Sequence, residues 1–377
     1  MTWRVGTRVG LLTALAWLGA GCGGDAAEPY DWKLPAGFPT PRVPADNPMT
    51  EAKVQLGRRL FYDVRLSQNG TQSCASCHEQ ARAFTDGRAT SVGSTGHVHR
   101  RNSQGLANVA YATSLTWANP ALTSLESQAL VPLFGKEPVE LGFGDREPEL
   151  LERLRLDAAL AAEFQGAFPD AAEPVSVATL TRALASFQRS LISGGSAYDR
   201  YIYGNEVDAM TRQQKRGMEL FFSERLECDH CHSGFNFQDA TVHETTFEPI
   251  LPFHNTGLYN EDGQGTYPAV DPGLIELTGR AEDMGRFRAP SLRNVAVTGP
   301  YMHDGSLETL SDVLDHYAAG GHARLVSGGE ASPLQSGFVR GFTLTAQEKE
   351  DVLAFLESLT DPVFLTDPRF SDPFITP

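Results

Sequence analysis

Four cysteines stand in two copies of one short motif. Residues 74–78 read Cys-Ala-Ser-Cys-His, and residues 228–232 read Cys-Asp-His-Cys-His. Two thiols separated by two residues and followed directly by a histidine are the pattern of covalent haem c attachment, in which the thiols form thioethers and the histidine binds the iron. The motifs therefore predict two haems c, held through Cys74, Cys77, Cys228 and Cys231, with His78 and His232 as the proximal ligands.

The other chemistries open to these cysteines are two disulfides, a zinc site or a redox dithiol. None of them explains why a histidine follows each cysteine pair. His230 lies inside the second motif and is expected at the surface or beside the haem, away from the iron.

The N-terminus has the pattern of an export signal. Arg4 and Arg8 precede the apolar stretch Leu11–Leu18, and small residues lead to Cys22. This ending is typical of a lipoprotein signal, which predicts an exported protein anchored through a lipid on Cys22. Because Leu18 lies one place earlier than the usual leucine, a soluble periplasmic protein cut nearby remains open. No later segment is long and apolar enough for a membrane helix.

Composition limits the class of protein. The chain has 377 residues, of which 41% are hydrophobic, enough for two domains that each bury a core. The formal net charge is -16, which argues against nucleic acid as a partner.

An internal repeat places a helix before each motif. Gly57 and Gly217 are each followed, three and four residues later, by a leucine and a phenylalanine. Thr50 and Thr211 are good N-cap residues for these two helices. The repeat predicts that a helix delivers aromatic side chains to each haem.

Further helices are predicted at Glu147–Leu156, Val175–Leu191, Leu307–Ala318 and Thr345–Leu359, with few strand patterns. The fold class is therefore mainly α, with two cytochrome c-like haem domains and long loops wrapped around the cofactors. The predicted organisation is a signal peptide at 1–22, a Pro-rich arm at 23–49, an N-terminal haem domain at 50–205, a C-terminal haem domain at 206–365 and a tail at 366–377.

Several longer segments resemble the bacterial di-haem cytochrome c peroxidase superfamily, which includes MauG. They are residues 60–67, 125–129, 290–294 (Pro-Ser-Leu-Arg-Asn) and 301–306 (Tyr-Met-His-Asp-Gly-Ser). Within it, residues 34–39, 115–122 and 253–259 are most similar to the MbnH group. The resemblance implies the di-haem peroxidase architecture and hydrogen peroxide as oxidant.

The resemblance also implies a function. Enzymes of the MbnH kind oxidise a tryptophan to kynurenine on MbnP, an exported copper-binding partner protein. The alternative is a cytochrome c peroxidase that reduces peroxide with electrons from a small redox protein. A third possibility is an electron-transfer cytochrome without catalysis, which predicts two six-coordinate haems.

By the same resemblance, peroxide reacts at the haem on His78, where Gln128 and Glu140 move protons and Pro132 limits space. Glu137 is the alternative carboxylate because the spacing from Gln128 is longer than usual. His97 and His99 lie where related peroxidases carry a removable iron ligand, and ligation by either one is left open.

The resemblance assigns Tyr317 as the second ligand of the haem on His232, with His316 as the alternative. An anionic tyrosinate stabilises oxidised iron, whereas the methionine of related peroxidases raises the reduction potential. Trp117 matches a tryptophan between the two haems. Asn102, Thr298 and Pro300 match the ligands of one calcium ion.

Overall fold

The computed structural model describes residue 2, residues 30–322 and residues 330–375. The predicted signal and Cys22 lie outside the described residues. Within these ranges the protein is helical, and β-pairing is limited to isolated bridges such as His254 with Phe287. The prediction of a mainly α protein with long loops is confirmed. Among the residues that the structure describes, no helix is both long and apolar enough to cross a membrane.

The α-helices of the described residues are joined by loops that contain short 3-10 turns. In chain order they are α1 Glu51–Tyr62, α2 Leu125–Gln128, α3 Leu130–Phe134, α4 Glu147–Arg155, α5 Ala158–Ala167, α6 Val177–Arg189, α7 Ala197–Ile202, α8 Arg212–Phe221, α9 Ile275–Thr278, α10 Leu310–Ala319 and α11 Ala346–Glu357.

The longer predicted helices are present, and their capping residues are as expected. Thr50 caps α1 by accepting a hydrogen bond from the Lys53 amide, and Thr211 forms a capping box with Gln214 at α8. The short helices α2, α3, α7 and α9 carry no periodic pattern of their own and were not predicted. Helix α5 was also missed, because an alanine-rich stretch has little amphipathic contrast.

Two helix pairs cross in the same way, and the first helix of each pair precedes a motif. Helix α1 packs on α6 through Gly57, where a Cβ atom would lie 1.9 Å from the Ala183 carbonyl oxygen. Helix α8 packs on α11 through Gly217, where a Cβ atom would lie 1.8 Å from the Asp351 carbonyl oxygen. Only glycine allows such an approach of two backbones, so the repeated glycine sets the spacing of both pairs.

Each helix pair lies in its own hydrophobic cluster. The cluster of α1 and α6 includes Phe61 and Phe187, with ring centroids 5.2 Å apart. The cluster of α8 and α11 includes Phe221 and Phe355, also with centroids 5.2 Å apart. The repeated aromatic residues therefore occupy equivalent places beneath the two motifs.

The C-terminal segment returns to the first cluster. Phe364 and Phe370 are buried there, and Phe364 lies edge-on to Phe84 with ring centroids 5.7 Å apart. The Tyr62 hydroxyl donates to the Phe370 carbonyl oxygen at 2.7 Å. Gln80 donates to the carbonyl oxygens of Phe364 and Asp367. The end of the chain thus packs on the segment that carries the first motif.

Candidate active site

A cavity of about 510 Å³ runs between the two helix pairs. Both cysteine motifs line it, and none of their cysteines is joined in a disulfide. The residues of the two motifs on its wall are Cys74, Cys77, His78, Cys228, Cys231 and His232. A space of this size suits flat organic cofactors and far exceeds what a single zinc ion needs.

The two motif histidines are held in the same orientation. His78 Nδ1 lies 2.7 Å from the Phe84 carbonyl oxygen, and His232 Nδ1 lies 3.2 Å from the Phe237 carbonyl oxygen. When Nδ1–H donates to a carbonyl, the proton is fixed on Nδ1 and Nε2 keeps a free lone pair. This is the tautomer that can ligate a metal through Nε2. Burial lowers the pKa of both histidines, which favours this neutral form. The donor set therefore fits one haem c at each motif.

Both carbonyl acceptors come from residues with strained backbones. Phe84 has φ 66° and Phe237 has φ 49°, in the left-handed region that few non-glycine residues adopt. Sequence reasoning missed these two positions. The signal that could have found them is a phenylalanine two residues before an aspartate, Phe84 before Asp86 and Phe237 before Asp239, shortly after each motif.

Gln128, Pro132 and Glu140 all line the cavity. Gln128 ends α2, whose first turn is capped by Ser124. The neighbouring Glu126 forms a partly buried ion pair with Arg189 at 2.9 Å. Desolvation raises the pKa of Glu140 to about 7, because nothing nearby compensates the carboxylate charge. This carboxyl group can therefore both accept and return a proton near neutral pH.

The backbone of Glu140 is clamped between two strips of chain. Its carbonyl oxygen accepts from the amide and the hydroxyl of Ser94, each at 2.8 Å. The next amide, of Leu141, donates to the Pro132 carbonyl oxygen at 2.9 Å. Gly93 is needed here, because a Cβ atom would lie 2.0 Å from the Val139 carbonyl oxygen.

The structure separates the residues that the sequence left as alternatives. The Glu137 side chain is 85% exposed, and its Oε1 lies 3.5 Å from His97 Nε2. His99 lines the cavity instead, and its buried Nε2 has no hydrogen-bond partner among the described residues. Of each pair, therefore, Glu140 and His99 face the cavity.

Tyr317 lines the cavity from α10, whereas His316 is buried outside its wall. Burial raises the pKa of Tyr317. A phenolate here needs a cation to balance it, which a ferric ion bound at His232 would supply. Met302 also lines the cavity, but it packs against the cluster that contains Trp117.

Trp117 lies in the wall shared by both motifs, and its indole N–H donates to the Asn102 carbonyl oxygen at 2.9 Å. The three residues predicted to bind calcium, Asn102, Thr298 and Pro300, line this same cavity. The side-chain Nδ2 of Asn102 donates to the carbonyl oxygens of Arg88 and Ala89, which leaves the side-chain Oδ1 free to act as a ligand atom. The arrangement brings the predicted residues together around the space between the motifs.

A second group near the haem on His232 could hold a metal. Cys231, Asp239 and His254 bring one ligand atom each within 4.8 Å of one another, and His254 Nε2 lies 2.6 Å from Asp239 Oδ2. A thioether at Cys231 uses the sulfur of this group, which removes its strongest ligand.

The fold and the cavity define a protein with two c-type haem sites, and comparison with known proteins agrees. The family profile for di-haem cytochrome c peroxidase matches residues 51–207. A cytochrome-c peroxidase of Denitromonas iodatirespirans is 37% identical, over 92% of this chain and 93% of its own. The methylamine utilization protein MauG of Methylorubrum extorquens is 34% identical, over 91% of this chain and 88% of its own. The chain therefore belongs to the bacterial di-haem cytochrome c peroxidase and MauG family.

Solved structures support the same assignment. A MauG-like protein associated with microbial copper homeostasis is 52% identical, with a TM-score of 0.88, over 92% of this chain and 100% of that chain. The di-haem peroxidase BthA of Burkholderia thailandensis, at 22% identity and a TM-score of 0.67, shares the fold. The protein is thus a di-haem oxidoreductase of a family whose enzymes use peroxide.

Proposed function

We propose that this protein uses hydrogen peroxide to oxidise a tryptophan to kynurenine on an MbnP-like, exported copper-binding partner protein. The likeness to the MauG-like protein associated with microbial copper homeostasis supports a partner of this kind. In this proposal the protein is itself exported, in the periplasm or anchored through Cys22.

The observation that carries the proposal is Tyr317 on the cavity wall, beside the motif of His232. A phenolate ligand favours oxidised iron, whereas a thioether favours reduced iron. Haem supplies the redox chemistry when bound, and Tyr317 biases the second site towards oxidising a substrate and away from accepting electrons.

The residues around the first motif have a matching division of work. Glu140, with its pKa near 7, accepts the proton that peroxide loses and returns it to the departing oxygen. Gln128 orients peroxide by hydrogen bonding, and Pro132 restricts the space beside it. Trp117 provides an oxidisable indole between the two sites. A calcium ion at Asn102, Thr298 and Pro300 would hold this wall together.

A cytochrome c peroxidase fed by a small redox protein is the second candidate. The relatives named cytochrome-c peroxidase favour it, and Gln128 and Glu140 suit peroxide reduction equally well. The two candidates differ in what Tyr317 contributes.

We therefore expect the Tyr317→Met variant to lose tryptophan oxidation and to keep peroxide reduction. A methionine should raise the reduction potential of the haem on His232, because a neutral thioether replaces an anion. The experiment incubates wild type and variant with peroxide and either a copper-binding partner or a reduced small cytochrome. Mass spectrometry follows the partner tryptophan, and absorbance follows the cytochrome.

Wild-type protein that oxidises the cytochrome but leaves the partner unchanged would support the second candidate instead. A redox titration of Tyr317→Met that leaves both potentials unchanged would move the ligand to another residue.

A further inference from the structure

Four arginines line the cavity, and three of them already have a carboxylate. Arg100 pairs with Glu276 at 2.6 Å, Arg101 pairs with Asp271 at 2.7 Å, and the buried Arg293 pairs with Asp199 at 2.5 Å. The fourth, Arg288, has no carboxylate within ion-pair distance among the described residues. Asp239 acts on its charge only from beyond that distance.

The hydrogen bonds of Arg288 all go to neutral groups. Its Nη2 donates to Gln104 Oε1 at 2.7 Å, and its Nε donates to the Thr116 carbonyl oxygen at 3.3 Å. The residue is only 7% exposed. Burial lowers the pKa of Arg288 to about 10, since the guanidinium has lost its hydration. A buried charge of this kind is stable only when an anion approaches it.

A second unused donor lies next to this guanidinium. Gln104 accepts from Arg288 through Oε1, and its Nε2 is buried with no hydrogen-bond partner in the described part of the chain. Arg288 and Gln104 are thus hydrogen-bonded to each other, and both line the cavity. Two adjacent donors of which one is charged match the two oxygens of a carboxylate.

This pair of donors stands between the two haem sites. The peptide of Gln104 lies beside His78, and that of Pro290, two residues after Arg288, lies beside His232. The Arg288 amide also donates to the Trp117 carbonyl oxygen at 2.8 Å. An anion held here therefore lies at the junction of both halves of the site.

We propose that Arg288 and Gln104 bind a propionate carboxylate of a haem on the wall between the two motifs. The propionates are the anionic groups that haem brings into this cavity, and either haem can supply one. The inference depends on the haem cofactors of the family and is independent of the partner protein.

The test replaces Arg288 with glutamine and measures the midpoint potential of each haem by spectroelectrochemistry. Loss of a positive charge beside a propionate favours the ferric state, so the potential of the paired haem should fall. We expect about a tenfold change in its equilibrium constant for reduction, ~59 mV for a one-electron couple. The haem that shifts more is the one that supplies the propionate.

Arg100→Gln is the matched control, because it removes the same charge from the same cavity at a residue that Glu276 already neutralises. Resonance Raman spectroscopy of the propionate bending bands gives a second measurement, which reports hydrogen bonding at the propionate itself. We expect these bands to move in Arg288→Gln and to stay in Arg100→Gln.

Equal small shifts of potential in both variants, with unmoved propionate bands, would overturn the proposal. Should Arg288→Gln fail to fold, Arg288→Lys keeps the charge but cannot bond a carboxylate in the same fork. Changed propionate bands in that variant support the proposal, and unchanged bands contradict it. Neither result depends on whether the partner tryptophan is oxidised.

Discussion

At the scale of single residues, surroundings distinguish two carboxylates that are three positions apart. Glu137 is at the surface, where its Oε1 lies 3.5 Å from His97 Nε2. Glu140 faces the cavity, where desolvation raises its pKa to about 7. Near neutral pH, Glu140 is divided between its acid and base forms, which is the condition for efficient proton transfer.

We expect the Glu140→Gln variant to react with peroxide about 10²–10⁴ times more slowly, since an amide cannot accept the proton. In the wild type the rate should rise as the pH rises through about 7, because the carboxylate is the form that accepts. The rate of the Glu140→Gln variant should not rise with pH in this range. Stopped-flow mixing with peroxide across a range of pH measures both effects.

Glu137→Gln is the control and should keep the wild-type rate and pH profile, because the side chain is exposed. A slow Glu137→Gln beside a fast Glu140→Gln would exchange the roles of the two residues. Normal rates in both variants would remove acid–base catalysis from this loop.

At the scale of elements, two helix crossings support the two haem sites. In each crossing a glycine of one helix meets a carbonyl of the other, and the Cβ of a phenylalanine lies four residues further on, at Phe187 and Phe355. The phenylalanine rings then pack beneath the motif. The spacing of the two helices depends on the absence of a side chain at this glycine. The position of the phenylalanine rings that pack against each haem site depends on that spacing.

Gly217→Ala should destabilise the protein by about 1–3 kcal/mol, as overpacked cores do, because its Cβ would lie 1.8 Å from the Asp351 carbonyl oxygen. Gly166→Ala is the matched control, since Gly166 lies in α5 with nothing near its Cβ position. There alanine should stabilise by about 0.5–1 kcal/mol. Thermal denaturation compares the two variants, and equal melting temperatures would contradict the crossing argument.

The helices differ in whether the sequence alone could predict them. The helices before each motif were predictable, because a threonine cap, an apolar period and the glycine repeat all lie within a short stretch. Helices α2 and α3 were not, since four or five residues carry no period. Their position comes from long-range contacts such as the ion pair of Glu126 with Arg189.

The residues of the site also differ in whether the sequence alone could predict them. The motif residues could be read directly, because covalent attachment requires adjacent residues. Arg288 could not, because its role depends on the distant segments that hold Gln104 and Thr116 beside it. The Phe84 and Phe237 carbonyls lie only a few residues after each motif, and they were missed because their role depends on a left-handed backbone. The choice between Glu140 and Glu137 also needed the structure, since only the direction of each side chain separates them.

At the scale of the whole molecule, the C-terminal segment supports the first haem site. Phe364 packs on Phe84, whose carbonyl oxygen accepts from His78. A residue at the far end of the chain is therefore two contacts away from the proximal histidine of the first motif.

Phe364→Ala should cost about 3–5 kcal/mol, as is usual for a fully packed phenylalanine. The loss should appear in the first half, so hydrogen exchange should quicken in α1 more than in α8. Phe374→Ala is the control from the same segment, because Phe374 is 53% exposed and its removal should change stability by no more than about 0.5 kcal/mol. Uniform quickening in both helices would show that Phe364 supports the molecule as a whole.

The return of the chain end also sets an order of events during synthesis. Translation produces the first motif long before Phe364 and Phe370, which complete the core beneath it. Until the C-terminal segment has packed, Phe84 lacks the ring of Phe364, and the carbonyl that orients His78 lacks the support of that contact. The core beneath the first motif is therefore completed by residues from the other end of the chain, whereas the second core is formed by α8 and α11 from the later half alone.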